Sequence, residues 1–292
     1  NGASIVAAAD TVGAQAIHPG VGFLAERSDF AQTVMDAGLV WIGPAPQSIE
    51  AMGSKAEARR RMAEAGVRVL PGYDQADQSD AALLRAAEEV GFPLIIKPSA
   101  GGGGKGMAVV GALDEFESAL ASARRVATAA FGDDAMVLER FVPRARHIEV
   151  QVLGDQHGAC IHLHERECSI QRRHQKIIEE APSCAFPAQA QRDRLFEDAI
   201  KAASTVRYEG AGTVEFVVDG EGNAHFLEMN TRLQVEHPVT EAVMGIDLVE
   251  WQIRIACGEP LPFNQAQIQP CGWAMEARIY AEQPDAGHAP SS

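Results

Sequence analysis

Two glutamates on either side of a turn are the groups in this chain best placed to do chemistry. Gly212-Thr213-Val214-Glu215-Phe216 and Phe226-Leu227-Glu228-Met229-Asn230 are apolar-polar runs flanking Asp219-Gly220-Glu221-Gly222-Asn223. That pattern predicts a β-hairpin. With the turn centred on Glu221-Gly222, Glu215 and Glu228 sit directly opposite each other. Facing like charges destabilise a sheet, so a buried pair needs a proton or a cation between its members. Asn230 lies two residues beyond Glu228 and shares its face. Two carboxylates and an amide oxygen form a hard, all-oxygen set, which suits Mg²⁺ held together with nucleotide phosphates. The same strand continues to Arg232, Gln234 and Glu236, so a metal set and an anion-handling set lie side by side.

Two further segments fit phosphate and anion chemistry. Lys97-Pro98-Ser99-Ala100-Gly101-Gly102-Gly103-Gly104-Lys105-Gly106 joins two apolar runs. Glycines let backbone N–H groups approach phosphate oxygens closely. Gly101, Gly103 and Gly106 match the dinucleotide-loop spacing, but that loop opens a helix and here a strand pattern follows. Gly104-Lys105-Gly106 lacks the Ser or Thr of a P-loop. A hairpin lid over a triphosphate, with Lys97 at its base, is the reading that remains. Ser169-Ile170-Gln171-Arg172-Arg173-His174-Gln175-Lys176, followed by Glu179-Glu180, is a cationic cluster in an acidic chain. It reads as an anion site or as a solvated charged loop. His162 and His164 alternate beside Glu165 with no third ligand at metal spacing, and read as one face of a sheet.

The elements that must position these groups follow from periodicity and punctuation. Residues 1–43 give a helix, a short strand at Gln15–Ile17, the loop His18-Pro19-Gly20-Val21-Gly22-Phe23-Leu24, a second helix and a strand from Leu39. Residues 45–66 are helical, with Ser54 as a cap before Lys55. A small α+β unit spans a helix at 79–90, strands at 94–97 and 107–110, a helix at 113–129 and a strand at 136–139. Strands at 147–153, 159–165, 212–218 and 224–229 build a larger antiparallel sheet, covered by helices at 189–207 and 240–257.

Composition sets outer bounds. The 292 residues fit one large domain or two to three small ones. A net charge of -15 argues against generic nucleic-acid binding, and no apolar run is long enough to cross a membrane. The five cysteines are scattered, with no C-x-x-C, and read as free thiols in a reducing compartment. That places the protein in the cytoplasm, or in the mitochondrial matrix of a eukaryote. The chain begins at Asn1 inside a helical pattern and ends at Ser292 soon after a strand, and it reads as an internal piece of a longer protein.

Taken together, these segments resemble the biotin carboxylase family of the ATP-grasp fold. The resemblance rests on Ala16-Ile17-His18-Pro19-Gly20-Val21-Gly22-Phe23-Leu24, the glycine loop, Arg146-His147-Ile148-Glu149-Val150-Gln151, the run Glu165 to Lys176, and Glu228-Met229-Asn230-Thr231-Arg232-Leu233-Gln234-Val235-Glu236-His237-Pro238. Glu276-Ala277-Arg278-Ile279-Tyr280-Ala281-Glu282 and Leu248-Val249-Glu250-Trp251 look more like propionyl- or methylcrotonyl-type acyl-CoA carboxylases than a dedicated acetyl-CoA carboxylase subunit. Val21, Ala100 and Cys184 depart from the family, which usually has Tyr, Gly and Pro there.

The resemblance implies an α/β (α+β) ATP-grasp fold. Its parts would be a remnant of an N-terminal doubly wound layer (1–43), a helical linker (44–69), a glycine-loop lid (70–141) and a catalytic antiparallel-sheet unit (142–292) running into a truncated C-terminal domain. It implies ATP- and bicarbonate-dependent carboxylation of biotin through carboxyphosphate, with ATP, Mg²⁺ (or Mn²⁺) and biotin as cofactors. Glu215, Glu228 and Asn230 would hold the metal. Lys55, Lys97, His147 and Gly102, Gly103 and Gly104 would hold phosphates. Glu139 and Val142 would lie at adenine. Gln171, His174 and Lys176 would help hold nucleotide or bicarbonate. Arg232, Gln234 and the Val235 backbone would bind bicarbonate, Glu236 would be the base, and Arg278 would stabilise the biotin enolate. Expected partners are a biotin carrier domain, a carboxyltransferase subunit and a second copy in a homodimer or larger assembly. Another ATP-grasp ligase, such as a carbamoyl-phosphate synthase half, and an inactive nucleotide-binding fragment are the alternatives.

Overall fold

The computed structural model describes residues 1–100, 104–172, 174–186, 188–283 and the backbone of 289–290. The first layer comprises α1 (Gly2–Val12), β1 (Ala16–Ile17), α2 (Ser28–Asp36) and β2 (Val40–Trp41), with a 3-10 turn at Phe23–Glu26. β1 and β2 pair in parallel, and Phe30, Ala31, Val34, Trp41 and Ile49 form its small core.

Two short helices, α3 (Pro46–Gly53) and α4 (Lys55–Glu64), lead out of this layer. Ser54 separates them. Its backbone is extended and its side chain accepts from the Glu57 N–H, so the helical stretch expected over 45–66 is restarted by a cap.

Next come β3 (Gly72–Tyr73), α5 (Asp80–Val90), β4 (Leu94–Pro98), β5 (Ala108–Val110), α6 (Leu113–Phe131) and β6 (Met136–Arg140). The four strands form an antiparallel sheet in the order β3-β6-β4-β5. α5 and α6 lie on it and bury Leu83, Ala87, Phe116 and Leu120 against Leu94, Ile96 and Leu138. β4 is buried along its whole length, which is why it reads as a continuous apolar run rather than an alternation.

The larger sheet contains β7 (Arg146–Gly154), β8 (Cys160–Arg172), β9 (Gln175–Ala181), β10 (Gly210–Val218), β11 (Ala224–Asn230) and β12 (Ala274–Ala277), in the order β11-β10-β7-β8-β9-β12. α7 (Gln189–Thr205) packs on one face. The single helix expected over 240–257 is two, α8 (His237–Met244) and α9 (Leu248–Ala256). Gly245 ends the first in the left-handed region, and the Asp247 side chain caps the second. The basic segment is not a loop: it forms the end of β8 and the start of β9, a long hairpin in which Arg172 pairs with Gln175.

Candidate active site

Alternation along the strands sorts the large sheet into an apolar and a polar face. Ile148, Val150 and Val152 of β7 and Val214, Phe216 and Val218 of β10 enter the core with Leu195, Phe196 and Ala199 of α7. Period two then sends His147, Glu149, Gln151, Thr213 and Glu215 to the other face. Glu228 pairs with Glu215, Glu215 with Glu149, and Glu149 with Arg166. The expected opposition of Glu215 and Glu228 is present, with a bulge between Glu215 and Phe216. What the sequence did not reveal is the third glutamate: carboxylates stand side by side on β11, β10 and β7, with an arginine next in the row.

Such a row survives burial only because cations are built into it. Lys176 of β9 donates to Glu215 Oε1 at 2.7 Å, to Glu236 Oε1 at 2.8 Å and to Glu149 Oε2. Burial alone would lower its pKa, but Glu149 and Glu215 outweigh burial and hold the ammonium well above the usual lysine range. Arg166 is fully buried. Its Nε donates to Glu149 Oε1 (2.6 Å), Nη1 to Gln151 Oε1 and Thr240 Oγ1 (2.8 Å each), and Nη2 to Thr213 Oγ1 (3.2 Å) and Gln234 Oε1 (2.9 Å). These contacts engage all five N–H donors of the guanidinium. His147 Nε2 lies 2.7 Å from Glu215 Oε2. Burial pushes the Glu215 carboxyl up, yet Lys176 and His147 together hold it well below the usual carboxylate range.

Asn230 and Gln234 complete the shell of Glu215, donating to its Oε1 at 2.7 and 2.9 Å. Asn230 Oδ1 faces Arg232 Nη2 at 3.4 Å. Glu228 is more open, and its ion pair with Lys55 is long at 4.0 Å. Two carboxylates paired across strands, one of them only loosely held, plus an amide oxygen fit a hard divalent cation that takes its remaining ligands from phosphate and water. Glu228, Glu215 and Asn230 are the residues that would hold it.

Glu236 is buried at the N-terminal end of α8. Its Oε1 accepts from Lys176 and its Oε2 from Arg278 Nη2 at 2.9 Å. Burial raises its pKa, but the charges of Lys176 and Arg166 outweigh that and lower it. Arg278 follows β12, and its Nη1 donates to the Tyr280 hydroxyl at 3.2 Å. Val235, on the turn before α8, is 42% exposed. Arg232 meets a partner that the sequence reading missed: its Nε is 3.2 Å from Glu26 Oε1 in the 3-10 turn of the first layer. The Glu26 carboxyl is pushed up by burial and by the charges of Glu228 and Glu215, against the opposing pull of Arg232.

The candidate nucleotide residues fall into two groups. Gln171 Nε2 lies 3.0 Å from His147 Nδ1. Gly104 lies so close to His174 that a Cβ there would be 2.6 Å from His174 Cδ2, and both residues have φ near +70°, at 73° and 65°. Glycine is therefore what lets the glycine loop reach the β8–β9 turn. Gly102 and Gly103 lie outside the described residues. The second group is in the four-stranded sheet, where buried Lys97 pairs with buried Glu139. Arg59 joins them, 3.6 Å from Glu139 Oε1 and 3.0 Å from Asp74 Oδ2. Val142 is half-buried just past β6. Lys55 links the two groups: its backbone N–H donates to Ser99 O at 3.0 Å while its ammonium faces Glu228.

His162 and His164 lie apart from these residues in their contacts. Both pack on Phe196, with ring centroids 4.0 and 5.0 Å away. Burial lowers the pKa of His162 to about 4.

Comparison with known proteins shows the family. Residues 54–264 match the family model "Carbamoyl-phosphate synthase L chain, ATP binding domain", and residues 1–49 match "Biotin carboxylase, N-terminal domain". The chain is 52% identical over 288 residues to the mitochondrial methylcrotonoyl-CoA carboxylase subunit alpha of Rattus norvegicus, covering 99% of this chain but 40% of that protein. It is 52% identical over 281 residues to the biotin carboxylase of Halalkalibacterium halodurans, covering 96% and 62%. Among solved structures, the biotin carboxylase domain dimer of Hydrogenobacter thermophilus 2-oxoglutarate carboxylase, in complex with MgADP, ADP and bicarbonate, superimposes with a TM-score of 0.95 at 46% identity, covering 99% of this chain and 64% of that one. The chain thus spans about 40% of the length of the rat subunit it matches. The chain therefore belongs to the carbamoyl-phosphate synthase L-chain ATP-binding family and, within it, to the biotin carboxylases of the ATP-grasp fold.

Proposed function

We propose that this region carries out the ATP- and bicarbonate-dependent carboxylation of biotin through carboxyphosphate, as the first half-reaction of a methylcrotonoyl- or propionyl-type acyl-CoA carboxylase. The observation that carries the reading is Glu236: a buried carboxylate held between Lys176 and Arg278, on the segment that also presents Arg232 and Gln234 beside the carboxylate row. An anion entering there meets three cations and one base.

Bicarbonate is a poor electrophile, and its activation needs a proton removed and a phosphoryl group delivered in line. Glu236 takes the proton. In the described state its pKa is lowered, which keeps it ionised but weakens it as a base. A bound bicarbonate competes for Lys176 and Arg278, and loosening those pairs raises the proton affinity of Glu236 when it is needed. Arg232 and Gln234 orient the anion. His147, Gln171, His174, Lys55 and Lys97 bind and align the nucleotide phosphates, Glu139 and Val142 adjoin its base, and residues 70–141 act as the lid. A divalent cation held by Glu215, Glu228 and Asn230 would supply charge neutralisation at the transferred phosphate. Arg278 then steadies the enolate oxygen of biotin, an oxyanion role.

In the whole protein the biotin would be presented by a carrier domain and the carboxyl group handed to a carboxyltransferase subunit. The Hydrogenobacter relative is described as a domain dimer, which supports a homodimer here. The rat relative is mitochondrial, which fits the reducing compartment read from the cysteines.

The test is ATP hydrolysis by the full-length parent with Mg²⁺ and bicarbonate, with and without free biotin. Stimulation by biotin, with carboxybiotin formed, is the expected result. Turnover that ignores biotin favours another bicarbonate-activating ligase of the kind that names the matched family.

A further inference from the structure

One of the buried acids that the mechanism leaves unused lies beside its reacting groups. Glu179, in the middle of β9, is fully buried, and among the described residues neither of its carboxylate oxygens has a hydrogen-bond partner. A buried ionised carboxylate without donors is costly. Its nearest cation is Arg278, whose Nε lies 4.0 Å from Glu179 Oε1 and also lacks a partner. Glu276 stands directly opposite Glu179 across the β9–β12 pair, and its Oε2 is a third orphan. Unsatisfied atoms of two acids and one guanidinium thus converge next to the Arg278–Glu236 ion pair.

We infer that Glu179 is a second, alternating counter-ion for Arg278: neutral while Glu236 is charged, and charged once Glu236 has taken a proton. The inference rests on the carboxylation reading above and adds a positioning residue to it. Each turnover places one proton from bicarbonate on Glu236. Glu179 then releases one proton past half-buried Glu276 to water, and Arg278 Nε closes on the freed carboxylate. The charge of the group is the same before and after, so the guanidinium always faces one anion and stays seated where biotin must arrive. After the carboxyl group has left, Glu236 gives its proton to water and Glu179 takes one back from water, which restores the starting state with one proton released per turnover.

The surroundings of Glu179 agree. Burial raises its pKa first, then the charges of Glu236, Glu276 and Glu149, against Arg278, to about 7. β8 and α8 pack on β9. They contribute Arg166 and His237, whose charges lower the otherwise raised pKa of Glu276. Because Glu236 is the largest of the charges raising Glu179, neutralising Glu236 is the event that lets Glu179 ionise.

The experiment uses the full-length protein and its biotin-dependent ATP turnover as a function of pH. Glu179→Gln, nearly isosteric and permanently neutral, is expected to lower kcat by roughly 10- to 100-fold, the worth of one charge-assisted hydrogen bond. It should leave KM for MgATP unchanged and abolish the fall of kcat as pH rises through about 7, where Glu179 loses its proton while Glu236 is still charged. Glu179→Asp should restore most of kcat and the fall with it. Infrared difference spectra of the unmutated protein should show a protonated carboxyl below pH 7 whose band shifts in Glu179→Asp, a readout that does not require the Gln variant to fold. Biotin-stimulated turnover with wild-type kcat and pH profile in Glu179→Gln overturns this inference alone, as does a carboxyl already ionised below pH 7. Turnover of the unmutated protein that ignores biotin refutes the carboxylation reading and this inference with it.

Discussion

Glu149 and Glu215 face each other across β7 and β10, and one ammonium, that of Lys176, bonds both. Two carboxylates in direct opposition would repel. With Lys176 between them, the repulsion becomes the reason that lysine stays charged inside the protein. The same ammonium also reaches Glu236, so the cation that stabilises the sheet is the one that sets the strength of the candidate base. Stability and chemistry are therefore coupled at this position.

The base assignment makes Glu236→Gln the sharpest single change. It removes a proton acceptor without removing a phosphate contact. Biotin-dependent ATP turnover should fall by roughly 10²- to 10⁴-fold, the usual worth of positioned acid–base catalysis. Nucleotide affinity, measured by calorimetry, should hold. Near-normal turnover would sink the assignment.

Glu228 is the more open carboxylate of the metal set, and its ion pair with Lys55 is long. Glu228→Gln should therefore leave the fold intact and raise the Mg²⁺ concentration needed for half-maximal turnover by at least about tenfold, since even outer partners of a metal site are worth that much. An unchanged Mg²⁺ titration would refute the metal role.

Arg166→Met should act on stability first. It strands Glu149 Oε1, Gln151, Thr213, Thr240 and Gln234 without their shared donor. Breaking a buried pair from one side typically costs about 3–5 kcal/mol, visible as a lower midpoint in denaturant unfolding. Glu149→Gln on top of Arg166→Met should recover part of the loss, because the uncompensated charge is gone. A double variant as unstable as the sum of the singles would rule out that coupling.

The pH dependence of stability has two opposed arms. His147 has a raised pKa, with burial lowering it and Glu215 overriding burial. Its contribution is complete below the ordinary value of 6.5 and is lost as pH rises through the higher folded value. Glu215 has a strongly depressed pKa, so its contribution is complete above 4.5 and is lost as pH falls through the folded value. Both are in place between 4.5 and 6.5. Denaturant unfolding at a series of pH values should show His147→Gln flattening the alkaline arm while shrinking the acid arm only in part, because Lys176 still holds the Glu215 carboxylate. An alkaline arm unchanged in that variant would contradict the sign argued here.

The sequence by itself determined the local elements and most of the reactive groups. Period two and a glycine-containing turn specify the β10–β11 hairpin and put Glu215 opposite Glu228. Ser54 announces the start of α4, because its cap is satisfied within one turn. The resemblance carried by residues 228–238 pointed to the right family. Tertiary structure decided how those groups are charged. Glu149, Arg166, Glu26 and Arg59 carried no assigned role in the sequence, since their partners come from other strands and layers: Lys176 is 27 residues from Glu149, 39 from Glu215 and 60 from Glu236. The β9 strand hid in a charge run for the same reason, its cations being neutralised by strands far away in sequence. Periodicity reports which face a side chain takes, a local property of the backbone. Whether a buried charge is tolerated depends on what that face meets, and only the assembled sheet supplies the partners.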